Sequence, residues 1–264
     1  MTVNIPRDRV NFVEIAQFGD VGTELYYEFL NLGFRLTAVA GSDAPWGGTI
    51  GEARVYVYTG PHFDADGWFR GLKAGHTFIT VGPILDFSVD GHMPGDQLTP
   101  TKGHLLKIHA QATDLSGVRA LGQLEIVANG QVVRAVEPQN GMASIDIELP
   151  ADHSMWIAAR AQRAGNSPTC LAHTTPVYAS VQSKRWWNLD AVPRLLEKRF
   201  TSLNELDALI DKTDDRIPAG HNAEWESADA FRNSAGSLRN AIRQARLVYS
   251  QLKELAEEQK LYGR

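Results

Sequence analysis

Residues 34–48 read Phe-Arg-Leu-Thr-Ala-Val-Ala-Gly-Ser-Asp-Ala-Pro-Trp-Gly-Gly, and this stretch sets the expectation for the fold. Phe34–Ala40 is an apolar, β-favouring run. It ends in a turn of small residues that presents Asp43, and a glycine-rich loop carrying Pro45 follows. Barrel-type enzymes place metal-binding and catalytic carboxylates at the C-terminal ends of core strands, where loops vary without disturbing the packed interior. Asp43 therefore reads either as a ligand at such a strand end or as an Asx-type turn residue. No companion cluster of His and carboxylates stands at ligand spacing elsewhere in the chain. One wall of a site is visible and the others are not.

Outward from this stretch, residues 1–84 alternate short apolar runs with helical patterns. Strands are expected at Val10–Ala16, Phe34–Ala40, Arg54–Tyr58 and Thr77–Val81, and helices at Thr23–Asn31 and Asp64–Gly75. Asp64 caps the second helix and Gly75 stops it. This alternation predicts βα units and a largely parallel sheet. From Leu85 to about Ser180 short strands and turns take over. Leu85–Val89 leads to Asp90-Gly91, Leu105–Ala112 alternates, and Leu124–Ala128 and Gln131–Val136 flank Asn129-Gly130. Asn-Gly between two such runs is a strong hairpin signal, because both residues tolerate positive φ. Ile145–Leu149, Met155–Arg160 and Pro176–Val181 complete about seven strands, a small β-sandwich with Trp156 expected at its centre. Beyond Asn188 the chain turns helical. Leu203, Leu206 and Ile210 form one stripe, and Leu238, Ile242, Ala245, Tyr249 and Leu252 a 4-3-4-3 seam, with Asp214–His221 as the connecting loop.

The fold class is accordingly α/β plus all-β: barrel-like βα units over 1–84, a β-sandwich over 85–182 and a C-terminal helical hairpin over 183–264. A formal charge of −5 argues against an electrostatic nucleic-acid binder. The lone Cys170 excludes an internal disulfide and cannot by itself make a thiolate metal site. Arg7, Asp8, Arg9 and Glu14 interrupt any early apolar run, so no signal peptide is visible, and no run reaches membrane-spanning length. The chain reads as soluble.

Asn11–Gln17, Tyr26–Asp43, Pro45–Tyr58 and Trp68–Pro83 resemble the carbaryl-hydrolase-like (CehA/McbA-type) metallohydrolases of the PHP (polymerase and histidinol phosphatase) superfamily. The similarity continues in order through Met93-Pro94-Gly95-Asp96, Leu124-Glu125-Ile126-Val127 with Asn129-Gly130, Trp156–Arg160 and Ala172–Tyr178. The resemblance implies the last strands of a distorted PHP-type βα barrel whose strand ends bind a divalent metal (Zn, Mn or Fe), followed by a sandwich. The superfamily's early His-x-His element has no counterpart here, since the first histidine is His62. The chain thus resembles the C-terminal portion of such a hydrolase, truncated or split. The late Gly-Ser/Thr-Asp motif falls on Gly41-Ser42-Asp43, which makes Asp43 the metal ligand that the resemblance carries over. Pro45 stands where many members have a His, and Val81 where an Asn is common.

Glu14, Ser42, Trp46, Arg54 and His173 complete the candidate pocket. All but Ser42 have a plainer reading: Glu14 a solvent-facing strand residue, Arg54 a surface partner of Glu52, Trp46 a plug at the barrel end, His173 a structural hydrogen-bonding residue. His104 and His109, five apart in a β pattern, point to opposite faces and cannot share a metal. His62 and His76 flank one helix as surface residues. Trp186-Trp187 beside Lys184-Arg185 is expected to pack between domains. No phosphate loop, nucleophile elbow or Cys/His dyad appears. The functional expectation is a metal-dependent hydrolase of an ester, amide, carbamate or phosphoester bond, acting through metal-bound hydroxide on a small molecule. The alternative is a non-catalytic binding or assembly protein that retains a barrel remnant. A partial barrel leaves a strand edge such as Val10–Ala16, so an upstream segment in trans or self-association is the expected partner.

Overall fold

The computed structural model describes residues 1–17, 20–46, 49–114, 121–165, 169–216 and 223–262. The chain divides into a sheet unit, 11–188, and a helical unit formed by 1–10 with 189–264. In the sheet unit the elements run β1 (Phe12–Gln17), β2 (Asp20–Val21), α1 (Glu24–Asn31), β3 (Thr37–Ala40), β4 (Arg54–Val57), α2 (Ala65–Ala74), β5 (Thr77–Thr80), β6 (Ile84–Val89) and β7 (Gln97–Leu98). There follow β8 (Leu105–Thr113), β9 (Leu121–Ala128), β10 (Gln131–Val136), β11 (Met142–Pro150), β12 (Met155–Arg163), β13 (Cys170–Thr174) and β14 (Val177–Ala179).

The expected parallel sheet is found only in part. β1 and β3 are parallel, with Glu14 opposite Val39, and β2 closes antiparallel on the end of β1. β4 and β5 are antiparallel instead. The reason lies in α2, whose ends are set by the Asp64 cap on Gly67 N (2.6 Å) and by left-handed Gly75. Tyr58 N donates to His76 O at 2.9 Å. The helix is therefore a closed excursion that leaves and returns at one point, so the chain re-enters beside itself in the reverse direction. Among the described residues no closed barrel forms.

The sheet order is β10-β9-β12-β13-β5-β4, with β14 paired to β12 and β7 paired to β14. β5 pairs with β13 through Ile79 and His173, so strands on either side of Pro83 share one sheet. A second sheet, β11-β8-β6, packs over it. Alternate residues of both meet in one apolar core, including Phe87, Leu106, Ile108, Ile126, Ile145, Ile157 and Val177. Three two-residue turns with both φ positive tighten the hairpins: Asp90-Gly91, the expected Asn129-Gly130, and Asn140-Gly141.

Trp156 is fully buried, yet not in that core. Ile157, Ala159 and Ala161 of β12 face the second sheet. Trp156 points the other way, its ring 4.9 Å from Tyr27 of α1 and its Nε1 donating to Asn31 Oδ1 at 2.8 Å. α1 thus covers the outer face of the large sheet, and β12 is buried on both sides. Trp186 and Trp187 also find partners inside the sheet unit: Trp186 lies against Tyr178, and the Arg185 guanidinium sits over the rings of Phe34 and Trp187.

One detail seals β3. Its outer-edge residue, Ala38, has no strand opposite. Ala38 N instead donates to Thr175 Oγ1 (2.9 Å), and Thr77 Oγ1 donates to Ala38 O (3.1 Å). The two hydroxyls are 2.8 Å apart. Because Thr77 spends its proton on Ala38 O, Thr175 must donate to Thr77, and every donor in the group has an acceptor. β1, expected at an open edge, pairs with β3 on one side and on the other with β2 only at Ala16 and Gln17, so among the described residues no strand covers its Phe12–Glu14 side.

In the helical unit α3 (Val192–Arg216) and α4 (Ala223–Tyr262) contact each other. Leu203 and Ile210 are buried as expected, but Leu206 is exposed. The seam passes through Asp207, which accepts from Arg246 Nη2 at 2.8 Å, so the spacing is 4-3 and not 3-4. Residues 1–10 belong here: Ile5 is buried, and Tyr249 Oη donates to Thr2 O at 2.8 Å. The expected 214–221 loop falls largely outside the described residues. No helix among them is long and apolar enough to cross a membrane.

Candidate functional site

The parallel pair β1–β3 sets the geometry of the strand-end site. Val13 and Ile15 are buried and Glu14 between them is exposed, which is the alternation a half-covered strand requires. The Glu14 carboxylate lies against Gly41, just past the end of β3. A Cβ on Gly41 would sit 3.0 Å from Glu14 Oε1, a contact that the end of the exposed Glu14 side chain could relieve by a small shift. Two residues on, Asp43 is exposed and sits in the left-handed region at φ 49°, a conformation that Asp tolerates better than most residues. Ser42 ties the base of the loop that follows. Its Oγ accepts from Gly51 N (3.0 Å) and donates to Ala53 O (3.3 Å). This brings Ser42 beside Arg54, which is exposed at the start of β4. Trp46 is 86% exposed, as is Ile50, so neither plugs an interior. Gly47 and Gly48 lie outside the described residues.

Glu14, Gly41–Asp43 and Arg54 therefore share one region, and His173 does not join them. His173 is fully buried on β13. Its Nδ1 is 2.6 Å from Thr174 O, which can only accept, so Nδ1 carries the proton. Nε2 then accepts from Tyr27 Oη at 2.7 Å. Burial holds the imidazole well below its ordinary range, at about 4, and it stays neutral.

The residues around His173 form a network that the sequence reading passed over. Glu125, Arg160 and His173 stand in one row across β9, β12 and β13. Arg160 Nε donates to Glu125 Oε2 at 2.5 Å, and Gln162 Nε2 donates to the same oxygen at 3.2 Å. Arg160 Nη1 reaches Tyr27 Oη at 3.5 Å. Cys170 is buried beside them, and desolvation pushes its thiol up to about 12, which leaves it inert as a nucleophile. The signal was available: an acid inside Leu124-Glu125-Ile126-Val127 and a base closing Trp156–Arg160 are each charged residues in apolar strands. With its charges paired and its imidazole neutral, the row braces the sheet under α1.

The remaining histidines pair singly with carboxylates. His76, half-buried and not at the surface as expected, is 3.2 Å from Asp96 Oδ1, and His92 is 3.5 Å from Asp96 Oδ2. His104 bonds Asp90 and His109 bonds Asp146, both at 2.8 Å, so these two do serve different partners. Against the opposing effect of partial burial, the Lys107 backbone N–H and His104 hold the Asp90 carboxyl below its ordinary range. Among the described residues no group of three or more His, Cys, Asp or Glu is placed to hold a metal ion. Glu14 and Asp43 fall short of the three protein ligands a catalytic centre needs, so the side chains described here do not by themselves fit the divalent metal that the resemblance implies.

No family model matches the chain, and no curated protein matches it. Among solved structures it is similar to the fibronectin(III)-like modules of Clostridium thermocellum CbhA, with 11% identity, over 37% of this chain and 93% of that one, at a TM-score of 0.23. It is also similar to a Jonesia denitrificans lytic polysaccharide monooxygenase, with 16% identity, over 33% of this chain and 61% of that one, again at 0.23. At that TM-score neither likeness bears on what this chain does.

Proposed function

We propose that this chain supplies one wall of a metal-dependent hydrolase of the PHP superfamily, of the carbaryl-hydrolase-like type, and not a whole metal centre. The observation that supports it is a carboxylate lying against the chain just past the end of β3, two residues before a second one. Glu14 reaches along β1 to lie against Gly41 of the adjacent parallel strand, and Asp43 follows at the start of an exposed loop. In barrel enzymes that end of parallel strands is where chemistry is placed. Arg54 and Trp46 border the same end and would shape a small-molecule pocket once further ligands are present.

The second reading, a non-catalytic binding or assembly protein, is favoured by the exposure of Trp46 and Ile50 on the same loop. The test is metal content. Protein purified without added metal is expected to carry well under one Zn, Mn or Fe per chain by elemental analysis. Co-expression with a coding segment from immediately upstream is expected to raise it toward one per chain, with loss on Asp43→Ala. A metal content unchanged by any upstream segment sinks the hydrolase reading in favour of the second.

A further inference from the structure

We propose that Ser88, His109 and Asp146 form a nucleophile–base–carboxylate triad on the outer face of the three-stranded sheet, acting on small carboxylic esters. The three residues are directly opposed across three adjacent strands. Ser88 of β6 is opposite His109 of β8, and His109 is opposite Asp146 of β11. Opposed residues point to the same face. That face is the outer one, because Phe87, Val89, Ile108, Ala110 and Ile145, which flank the row, all face the core.

The orienting bond is already made. His109 Nδ1 is 2.8 Å from Asp146 Oδ1. A carboxylate accepts, so Nδ1 carries the proton and Nε2 is the ring nitrogen left to act as base. The ladder favours this contact. Counting in twos from the Asp114 N–Gly141 O bond makes His109–Asp146 a non-hydrogen-bonded pair, the kind whose side chains lie closest. Ser88 makes no hydrogen bond to His109 in this structure. Counting in twos from the Asp90 N–Lys107 O bond makes Ser88–His109 a hydrogen-bonded pair, at the wider end of the about 4.5–5.5 Å that separates opposed Cβ atoms, so the hydroxyl has to rotate toward His109 to meet Nε2. Lys107 and Glu148, the next opposed pair on the face, border with them a groove of about 420 Å³, open to solvent.

The chemistry balances without a metal. Ser88 Oγ bonds to the acyl carbon while its proton passes to His109 Nε2, and Asp146 stabilises the imidazolium. The bond from the acyl carbon to the alcohol oxygen breaks, and that oxygen takes the proton from Nε2. Water then gives a proton to Nε2 and its oxygen to the acyl carbon. The Ser88–acyl bond breaks, the proton returns to Ser88, and the acid leaves.

The test uses the full chain with a fluorophosphonate probe and p-nitrophenyl acetate. One probe per chain is expected on the peptide containing Ser88, with none on Ser88→Ala and labelling slowed ~10²-fold or more on His109→Ala. Asp146 is a positioning residue. Asp146→Asn is expected to slow labelling ~10-fold or more and to move the nitrogen NMR shifts of His109, both restored in part by Asp146→Glu. Chelator is expected to change nothing, which separates this site from the β1–β3 strand ends. The row faces solvent, so equal thermal midpoints verify that the variants fold. Wild-type protein that takes no probe at Ser88, or labelling that survives His109→Ala, overturns the proposal.

Discussion

The two faces of β12 differ in how openly the sequence declares them. On one, Ile157, Ala159 and Ala161 meet the second sheet, an apolar interface that the alternation of the facing strands β6 and β8 announces. On the other, Trp156, Arg160 and Gln162 meet α1 and the Glu125–His173 row through hydrogen bonds that connect residues up to 146 apart in the chain. The first face is generic hydrophobic burial. The second is a set of specific partners, and it makes the sheet depend on α1. Each variant below removes part of that second face or of its edge.

The largest effect is expected at Trp156. Trp156→Ala removes a fully buried indole from between the sheet and α1 and should cost about 3–5 kcal/mol by urea unfolding. The same packing predicts that residues 84–182 alone, which lack Tyr27 and Asn31, unfold at lower denaturant than residues 11–188. Equal midpoints would mean that α1 is not a structural part of the sheet.

This dependence explains what was legible in the sequence and what was not. The Asn129-Gly130 hairpin and both caps of α2 are local, so a few residues declare them. The pairing of β13 with β5 is not local. Cys170–Thr174, with no turn signal of its own and a histidine inside it, gives no strand pattern. Trp156, expected in the sandwich core, lies on the other face, because a strand covered on both sides reads as a continuous apolar run, without the alternation that separates its faces. At the candidate site, Glu14 and Asp43 were visible as residue types at a strand end, whereas the separation of His173 from them follows from sheet topology.

Next in size is the Glu125–Arg160 pair, whose side chains are 10% and 17% exposed. Arg160→Met should cost about 3 kcal/mol, because it leaves Glu125 charged in a largely dry site. Adding Glu125→Leu should recover much of this loss, since an apolar pair carries no stranded charge. A double variant that is worse than the single would show that the row supplies more than charge pairing.

His173 tests the same face by pH. Its folded value of about 4 lies below the ordinary imidazole value, so between the two the unfolded chain binds more protons. The contribution is complete above pH ~6.5 and is lost as pH falls toward 4, with about 2 kcal/mol gone by pH 5. His173→Gln should flatten that part of the stability–pH curve while lowering it throughout. An unchanged slope would show that another group governs the acid limb.

The smallest effect is expected at the edge of β3, where Thr77 and Thr175 occupy the place of a strand. Thr175→Val preserves shape but leaves Ala38 N without an acceptor, for a cost of about 1–2 kcal/mol. Thr77→Val should cost less, because it strands a carbonyl, and under-satisfied carbonyls are better tolerated than orphaned N–H groups. The two costs should not add, since each hydroxyl bonds the other and the first change already breaks that bond. Ala38 is itself fully buried, so the group left unpaired stays inside the fold and the readout is the urea midpoint of the two single variants and of the double. Single-variant costs that sum to the loss in the double variant would show that the two hydroxyls act independently and that the bond between them contributes nothing of its own.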